Sequence, residues 1–362
     1  MITAASITTW KRSTNKFMKL LVTGGAGFIG SAFLRMSLEG AGSTRIVNLD
    51  KLTYAGNLAN LRSIAENARY RFVHGDICDA ALVNALIAEE TPDAIVHFAA
   101  ESHVDRSILS ASPAFETNLR GTFTLLEAAR ANGIGRFVHV STDEVYGSLE
   151  HPIEADEAFP LNPSSPYSAS KAGSDLLARS YFLTYGVPVV ITRASNNYGP
   201  YQFPEKLIPL MTSNALEGIP VPIYGDGMQI RDWLHVEDHC RGILAVLEHG
   251  REGEIYNIGG NCALPNLSVV RRILAATGMP DSLMTTVADR PGHDRRYALS
   301  SAKLTRETGW SPKVDFEIGL ARTVRWYREN ADWIRNVKSG EYLKFYQSNY
   351  ENRPGLVPNG RP

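Results

Sequence analysis

The chain has 362 residues, a formal net charge of −1, 44% hydrophobic residues and three cysteines. Near-neutral charge gives no global electrostatic case for nucleic acid or an anionic membrane surface, and no apolar run approaches the roughly 18 residues of a membrane span. Cys78, Cys240 and Cys262 are scattered, odd in number and without metal-ligand spacing, so they read as free buried thiols of a reducing compartment, with the cytoplasm as the expected location and no metal expected.

The length suggests about two domains. Residues 1–17 carry Lys11, Arg12 and Lys16 but no apolar stretch ahead of a small-residue cleavage site, so they read as a disordered extension rather than a secretory signal. Lys19-Leu20-Leu21-Val22 is a short apolar strand that runs into Thr23-Gly24-Gly25-Ala26-Gly27-Phe28-Ile29-Gly30. Those glycines satisfy both a G-x-G-x-x-G and a G-x-x-G-x-x-G spacing, and a helix with Phe33, Leu34, Met36 and Leu38 follows. Glycine at such a turn lets a pyrophosphate approach the backbone and rest on the unpaired N–H groups of the helix N-terminus. The next strand, 45–49, ends at Asp50, twenty residues past Gly30. An acid there accepts hydrogen bonds from ribose hydroxyls and repels a 2′-phosphate, which favours NAD over NADP.

The alternation continues with a strand at 69–73, leading to Asp76 as a candidate contact for the adenine edge, a helix at 81–90 and a strand at 94–98. A long helix is expected over 115–132, a strand over 137–140, a helix over 166–185 and a strand over 187–192. Strands separated by helical patterns imply parallel βαβ units and an α/β, doubly wound parallel sheet of the Rossmann type. From residue 195 onward proline and glycine become frequent and the elements shorter. The expected organisation is therefore a dinucleotide-binding domain at 18–194, a smaller mixed α/β substrate lobe at 195–345 and a tail at 346–362. Helices are expected within the lobe at 205–216, 235–249, 267–277 and 316–330.

Two stretches carry proton-transfer chemistry. Ser141-Thr142-Asp143-Glu144 emerges at the C-terminal end of the strand 137–140, the edge where open α/β sheets bind ligands. Tyr167 and Lys171 lie four apart at the start of a helix, on one face. A cation beneath the phenol is expected to pull the tyrosine below its ordinary pKa of about 10 and make it a base toward a hydroxyl. Asp143 and Glu144 form a carboxyl pair that serves as acid and base if their surroundings separate their pKa values.

Together with Asp50-Lys51-Leu52-Thr53-Tyr54-Ala55-Gly56-Asn57, residues 97–108, Ser195-Asn196-Asn197-Tyr198-Gly199-Pro200, Pro204-Glu205-Lys206-Leu207, Arg231-Asp232-Trp233 and residues 289–297, these motifs resemble the extended short-chain dehydrogenase/reductase superfamily and, within it, the dTDP-glucose 4,6-dehydratase family. The resemblance spans about residues 18–345, and its most specific element is the Thr-Asp-Glu triplet. One departure is Leu299-Ser300, where the family pattern has an apolar residue followed by Asp.

The resemblance implies an NAD-dependent lyase of nucleotide-sugar metabolism, with catalytic Thr142, Asp143, Glu144, Tyr167 and Lys171. It implies cofactor contacts from Gly24, Gly27, Phe28, Ile29, Gly30, Asp50, Lys51, Leu52, Thr53, Asp76, Ile77, Ala99, Ala100, Ser102, Thr117, Tyr167, Lys171 and Asn197. Substrate contacts are implied for Ser102, Thr142, Asn196, Lys206, Leu207, Pro222, Tyr224, Arg231, Asn266, Arg290, His293 and Tyr297. Lys206 and Arg231 suit a nucleoside diphosphate, which needs charge-assisted donors. A homodimer through a four-helix bundle of the helices at 115–132 and 166–185 is also implied. The alternatives are sibling reactions: dehydration of UDP-glucose, 4-epimerisation, which has no use for Asp143 and Glu144, or decarboxylation.

Overall fold

The computed structural model describes residues 18–39 and 42–339, so the expectations for 1–17 and 346–362 lie outside the described residues. The chain opens with β1 (Lys19–Thr23), α1 (Phe28–Leu38), β2 (Arg45–Asp50), β3 (Tyr70–His74), α2 (Ala80–Glu90) and β4 (Ala94–His97). Short helices α3 (Val104–Leu109) and α4 (Ser112–Phe115) lead to α5 (Thr122–Ala131), followed by β5 (Arg136–Thr142), α6 (Pro166–Tyr185) and β6 (Val189–Ala194). β7 (Asn196–Tyr198), α7 (Leu207–Glu217), β8 (Val221–Tyr224), β9 (Ile230–His235), α8 (Val236–His249) and β10 (Ile255–Ile258) come next. The described chain closes with β11 (Ala263–Pro265), α9 (Asn266–Thr277), β12 (Met284–Val287), α10 (Ala302–Thr308), α11 (Phe316–Glu329) and α12 (Ala331–Val337).

Seven strands form one sheet in the order β10-β6-β5-β4-β1-β2-β3, every pair parallel. Successive residues of a strand feed opposite layers, because side chains alternate across a sheet. Leu20 and Val22 join the core on the α1 and α8 side, and Leu21 joins the core built with α2, α5 and α6. With helices on both faces the strands are near-continuous apolar runs, which is why they are legible in the sequence. Strand order reverses between β1 and β4, and the crevice at such a switch point is where a ligand sits.

The lobe expected at 195–345 does not stay apart from this sheet. Helix α8 packs Cys240, Ile243, Val246 and Leu247 into the same core as α1, and β10 pairs in parallel with β6. A single cut at residue 194 therefore misses a return crossing, driven by the four consecutive buried residues of β10. The remainder forms a second core from α7, α9 and α11 over the three-stranded sheet β11-β9-β7 and the pair β12-β8. Ser300 donates its N–H to Ala155 O at 2.9 Å beside a bridge between Ala155 and Leu299, so the departing dipeptide lies in a pinned loop.

The helix expected over 115–132 contains a π-helical stretch over Glu116–Gly121. Its buried Asn118 takes the N–H of Glu101 at 2.9 Å and donates to Glu101 O at 3.0 Å and Ser170 Oγ at 2.8 Å, fastening the end of β4 to α6. All three cysteines are free, but only Cys240 is fully buried. Cys78 and Cys262 sit at partly exposed positions, a correction to the uniform burial expected of them. Among the described residues no helix is long and apolar enough to cross a membrane.

Candidate active site

The glycine turn passes hard against the end of β4. Gly24 has φ +75°, and a Cβ there would lie 2.5 Å from the Ala99 nitrogen. At Gly27, the N-cap of α1, a Cβ would meet nothing nearer than Gly24 O at 3.4 Å and would fill the space in front of the helix N-terminus. That space is a cradle for a phosphate anion. Asp50 braces the turn, accepting from Ala26 N and Leu52 N, each at 2.8 Å, while burial pushes its carboxyl above the usual range. Lys51 and Asp76 pair at 2.6 Å on the rim, which gives Asp76 a partner beyond the adenine edge it is expected to meet.

Of the residues expected in the site, all except Leu52, Pro222 and Tyr297 line one cleft of about 390 Å³. Leu52 (φ +54°) offers its backbone to Asp50. Pro222 is buried inside β8, opposite Thr285 of β12. Tyr297 stands behind Arg231, whose guanidinium lies 4.2 Å over its ring, and donates its hydroxyl to Asp294 at 2.6 Å. Leu52 and Tyr297 thus touch lining residues from outside the cleft.

Tyr167 and Lys171 are set by the start of α6. Pro166 occupies the first turn, and Ser165 and Ser168 cap each other reciprocally, Ser168 N to Ser165 Oγ at 3.1 Å and Ser165 N to Ser168 Oγ at 2.9 Å. Lys171 donates Nζ to Val140 O at 2.8 Å. The expected lowering of the tyrosine is reversed: burial and the Glu144 carboxylate push the Tyr167 phenol up, and a hydrogen bond with Thr142 only partly offsets them. Two effects that favour the neutral phenol outweigh a cation aimed at a carbonyl. Burial also brings Lys171 down to about 8.

Asp143 and Glu144 follow Thr142 in a short 3₁₀ turn at the C-terminal end of β5. Asp143 is 3% exposed, and burial with the charges of Glu144 and Asp232 pushes its carboxyl well above the usual range. Its Oδ1 accepts from Thr142 at 3.3 Å, and its Oδ2 has no protein partner among the described residues. Glu144 is only partly buried; burial raises it, and Lys206, Arg290 and Arg231 pull it back. Both carboxyls are thus raised, Asp143 the more strongly and Glu144 with cations to offset its burial, which is the direction of separation an acid–base pair requires.

The opposite wall is cationic. Lys206 donates to Ser102 O at 2.6 Å, and Arg231 to Asp294 O at 2.9 Å. His293 pairs with Asp289 at 2.6 Å, burial and Arg290 bringing it down to about 4. The side-chain oxygens of Asn196 and Asn266 are buried at the cleft without protein partners among the described residues. Asp105 lies within the 97–108 motif, but the sequence reading gives it no role in the site. It accepts from Arg290 at 2.9 Å and from the Tyr224 hydroxyl at 2.7 Å, and despite burial these partners hold it well below the usual carboxylate range. Glu205, within the Pro204–Leu207 motif, is likewise given no role by the sequence; it lines the cleft, accepts from Tyr54 at 2.9 Å and is raised by burial to about 7. No local pattern signals these contacts, which join positions 119 to 185 residues apart for Asp105 and 151 for Glu205.

The family model described as GDP-mannose 4,6 dehydratase matches residues 21–323. A dTDP-glucose 4,6-dehydratase of Salmonella typhimurium is 52% identical over 362 residues, covering 93% of this chain and 100% of the relative. One from Streptomyces niveus is 54% identical over 326 residues, covering 89% and 96%. The crystal structure of DesIV, a dTDP-glucose 4,6-dehydratase from Streptomyces venezuelae with NAD and TYD bound, matches with a TM-score of 0.87 at 56% identity, over 89% of this chain and 100% of that one. A UDP-glucose 4-epimerase of Thermus thermophilus in complex with NAD matches at 0.80 and 33% identity, over 86% and 100%. With an acid pair, a Tyr–Lys pair and a glycine turn gathered in one cleft, and with such relatives over nearly its whole length, this chain belongs to the dTDP-glucose 4,6-dehydratase family of the extended short-chain dehydrogenase/reductases.

Proposed function

We propose that the protein converts dTDP-glucose to dTDP-4-keto-6-deoxyglucose and water. The observation that carries the reading is the placement of Thr142, Asp143 and Glu144 in the same cleft as Tyr167, Lys171 and the glycine turn. The cradle at Gly27 and the brace at Asp50 fit a dinucleotide, with Ala99, Ala100, Thr117 and Asn197 along its path. When bound, NAD supplies a hydride acceptor for carbon 4 of the sugar and a donor for carbon 6. Asp50 favours the form without a 2′-phosphate.

The chain's own residues move the protons. Tyr167, once its phenol has given up its own proton, takes that of the 4-hydroxyl as the carbon 4 hydride leaves, with Thr142 bonded to that oxygen. Lys171, anchored on the Val140 carbonyl, supplies the neighbouring positive charge. The new ketone acidifies carbon 5, and Glu144 removes its proton. Asp143, protonated, donates to the 6-oxygen as the carbon 6–oxygen bond breaks and water leaves. Hydride then returns to carbon 6 and Glu144 gives a proton back to carbon 5, so no net oxidation remains. Arg231 and Lys206 offer charge-assisted donors to the diphosphate, with Arg290, His293, Asn196, Asn266 and Tyr224 lining the rest of the nucleotide-sugar path.

Exposed apolar side chains gather on α3 to α6: Leu109, Phe115, Phe123, Leu176, Leu183 and Tyr185. They support a homodimer through a four-helix bundle, and light scattering reads its mass directly. Three free thiols fit the reducing cytoplasm.

The test is incubation of purified protein with dTDP-glucose and no added reductant. A 4-keto-6-deoxy sugar, seen by its absorbance in base, supports the reading when Glu144→Gln abolishes it. Conversion to the galacto epimer contradicts it.

A further inference from the structure

Trp333, on α12, donates its indole N–H to Asn60 Oδ1 at 2.9 Å across 273 positions of sequence. Asn60 is 2% exposed; its Nδ2 donates to Ala26 O, inside the glycine turn, at 2.9 Å. Its own carbonyl accepts from Arg35 of α1 at 2.7 Å, and Asn57 N also donates to Ala26 O at 3.0 Å. The stretch after Asp50 is thus folded back over the glycine turn and fastened there. Behind Trp333 stand Trp326 and Tyr201, with ring centroids at 5.1 and 6.1 Å, and the Arg35 guanidinium lies 4.2 Å over Tyr201. No residue of α12 lines the cleft itself.

We infer that Trp333, acting through Asn60, is a positioning residue that holds residues 51–64 closed against the glycine turn and so sets how long NAD stays bound. The inference rests on the reading of this cleft as an NAD site. Its logic is the internal return of hydride: a carrier that escapes between the two transfers strands a reduced cofactor and an unfinished sugar. A buried hydrogen bond at each joint makes α12 a clasp on the loop rather than a contact to the ligand.

The test loads the full chain with NAD, removes free cofactor by gel filtration and follows bound nicotinamide with time. Trp333→Phe and Asn60→Ser are each expected to speed release roughly fivefold, and the double variant no more than the faster single one, because both break one linkage. Trp326→Phe thins the same aromatic cluster without touching Asn60 and is expected to release NAD as the parent does. On the unaltered protein, reciprocity requires NAD to slow amide exchange in α12 over the concentrations at which it protects the glycine turn. Unchanged release in both variants, equal acceleration by Trp326→Phe, or α12 exchange indifferent to NAD overturns the clasp alone. A chain that binds no NAD overturns the functional reading, and this inference with it.

Discussion

Asp175 follows Lys171 by one turn of α6, and its carboxylate is held by Arg193, Nε to Oδ2 at 2.8 Å, and by His139, Nε2 to Oδ1 at 3.3 Å. Burial opposes that charge, yet Arg193 and His139 bring Asp175 down to about 2. The buried carboxylate in turn pulls Lys171 back up against the desolvation that lowers it to about 8. Activity that needs the ammonium is present below this pKa and lost as pH rises through it. Asp175→Asn removes the supporting charge, so the alkaline limb of kcat moves to lower pH. Loss of Arg193's partner also costs about 3 kcal/mol of stability. A pH–rate profile with a thermal melt checks both, and an unmoved alkaline limb denies Asp175 this role.

The two acids of the Thr-Asp-Glu turn are predicted to fail differently. Glu144→Gln abolishes exchange of the carbon 5 hydrogen with solvent deuterium, because no base remains to take it. Asp143→Asn keeps that exchange but slows water loss by about 10²–10⁴, the usual worth of a positioned proton donor. Mass spectrometry of substrate and product in D₂O separates them. Equal loss of exchange in both variants contradicts the division of roles.

The Asp105–Arg290 pair joins the first turn of α3 to the loop after β12, both partners mostly buried. Removing one partner leaves the other charge unpaired, so Asp105→Asn is expected to destabilise by about 3 kcal/mol and to raise KM for the nucleotide sugar. The carboxyl's folded pKa lies below its unfolded value. Its stabilisation is therefore present above about pH 4 and lost as pH falls further. Melting temperatures of parent and variant should converge at low pH; a constant gap contradicts the assignment.

Two glycines of one turn give opposite outcomes. Gly24→Ala forces a Cβ against the Ala99 backbone at a left-handed φ, so the fold itself suffers. Gly27→Ala leaves the melt near the parent's and fills the cradle, so NAD affinity falls. Calorimetric titration with NAD beside a melt distinguishes them; Gly27→Ala with parental affinity argues against a phosphate there.

The parallel sheet and glycine turn are legible in the sequence because their signals are local: apolar runs buried on both faces, and glycines at fixed spacing before a helix. Tyr167 and Lys171 are legible for the same reason, but their electrostatics are not. A four-residue spacing cannot say that Lys171 bonds Val140 or that Glu144 raises the phenol. Family pattern assigns Leu52, Pro222 and Tyr297 to the lining, yet Leu52 and Tyr297 touch it from behind and Pro222 is buried within β8. The return of β10 to the first sheet, Asp105 with Arg290, and Trp333 with Asn60 are long-range pairings that no local window contains.

The central claim is that one hydride leaves carbon 4 and returns to carbon 6 of the same sugar while the carrier stays bound. The most direct measurement uses dTDP-glucose deuterated at carbon 4, mixed with unlabelled substrate that carries a distinguishing heavy-carbon label. The account predicts product with deuterium at carbon 6, confined to molecules that began with it at carbon 4. Deuterium lost to solvent, found in released NADH, or scrambled between the two populations contradicts it.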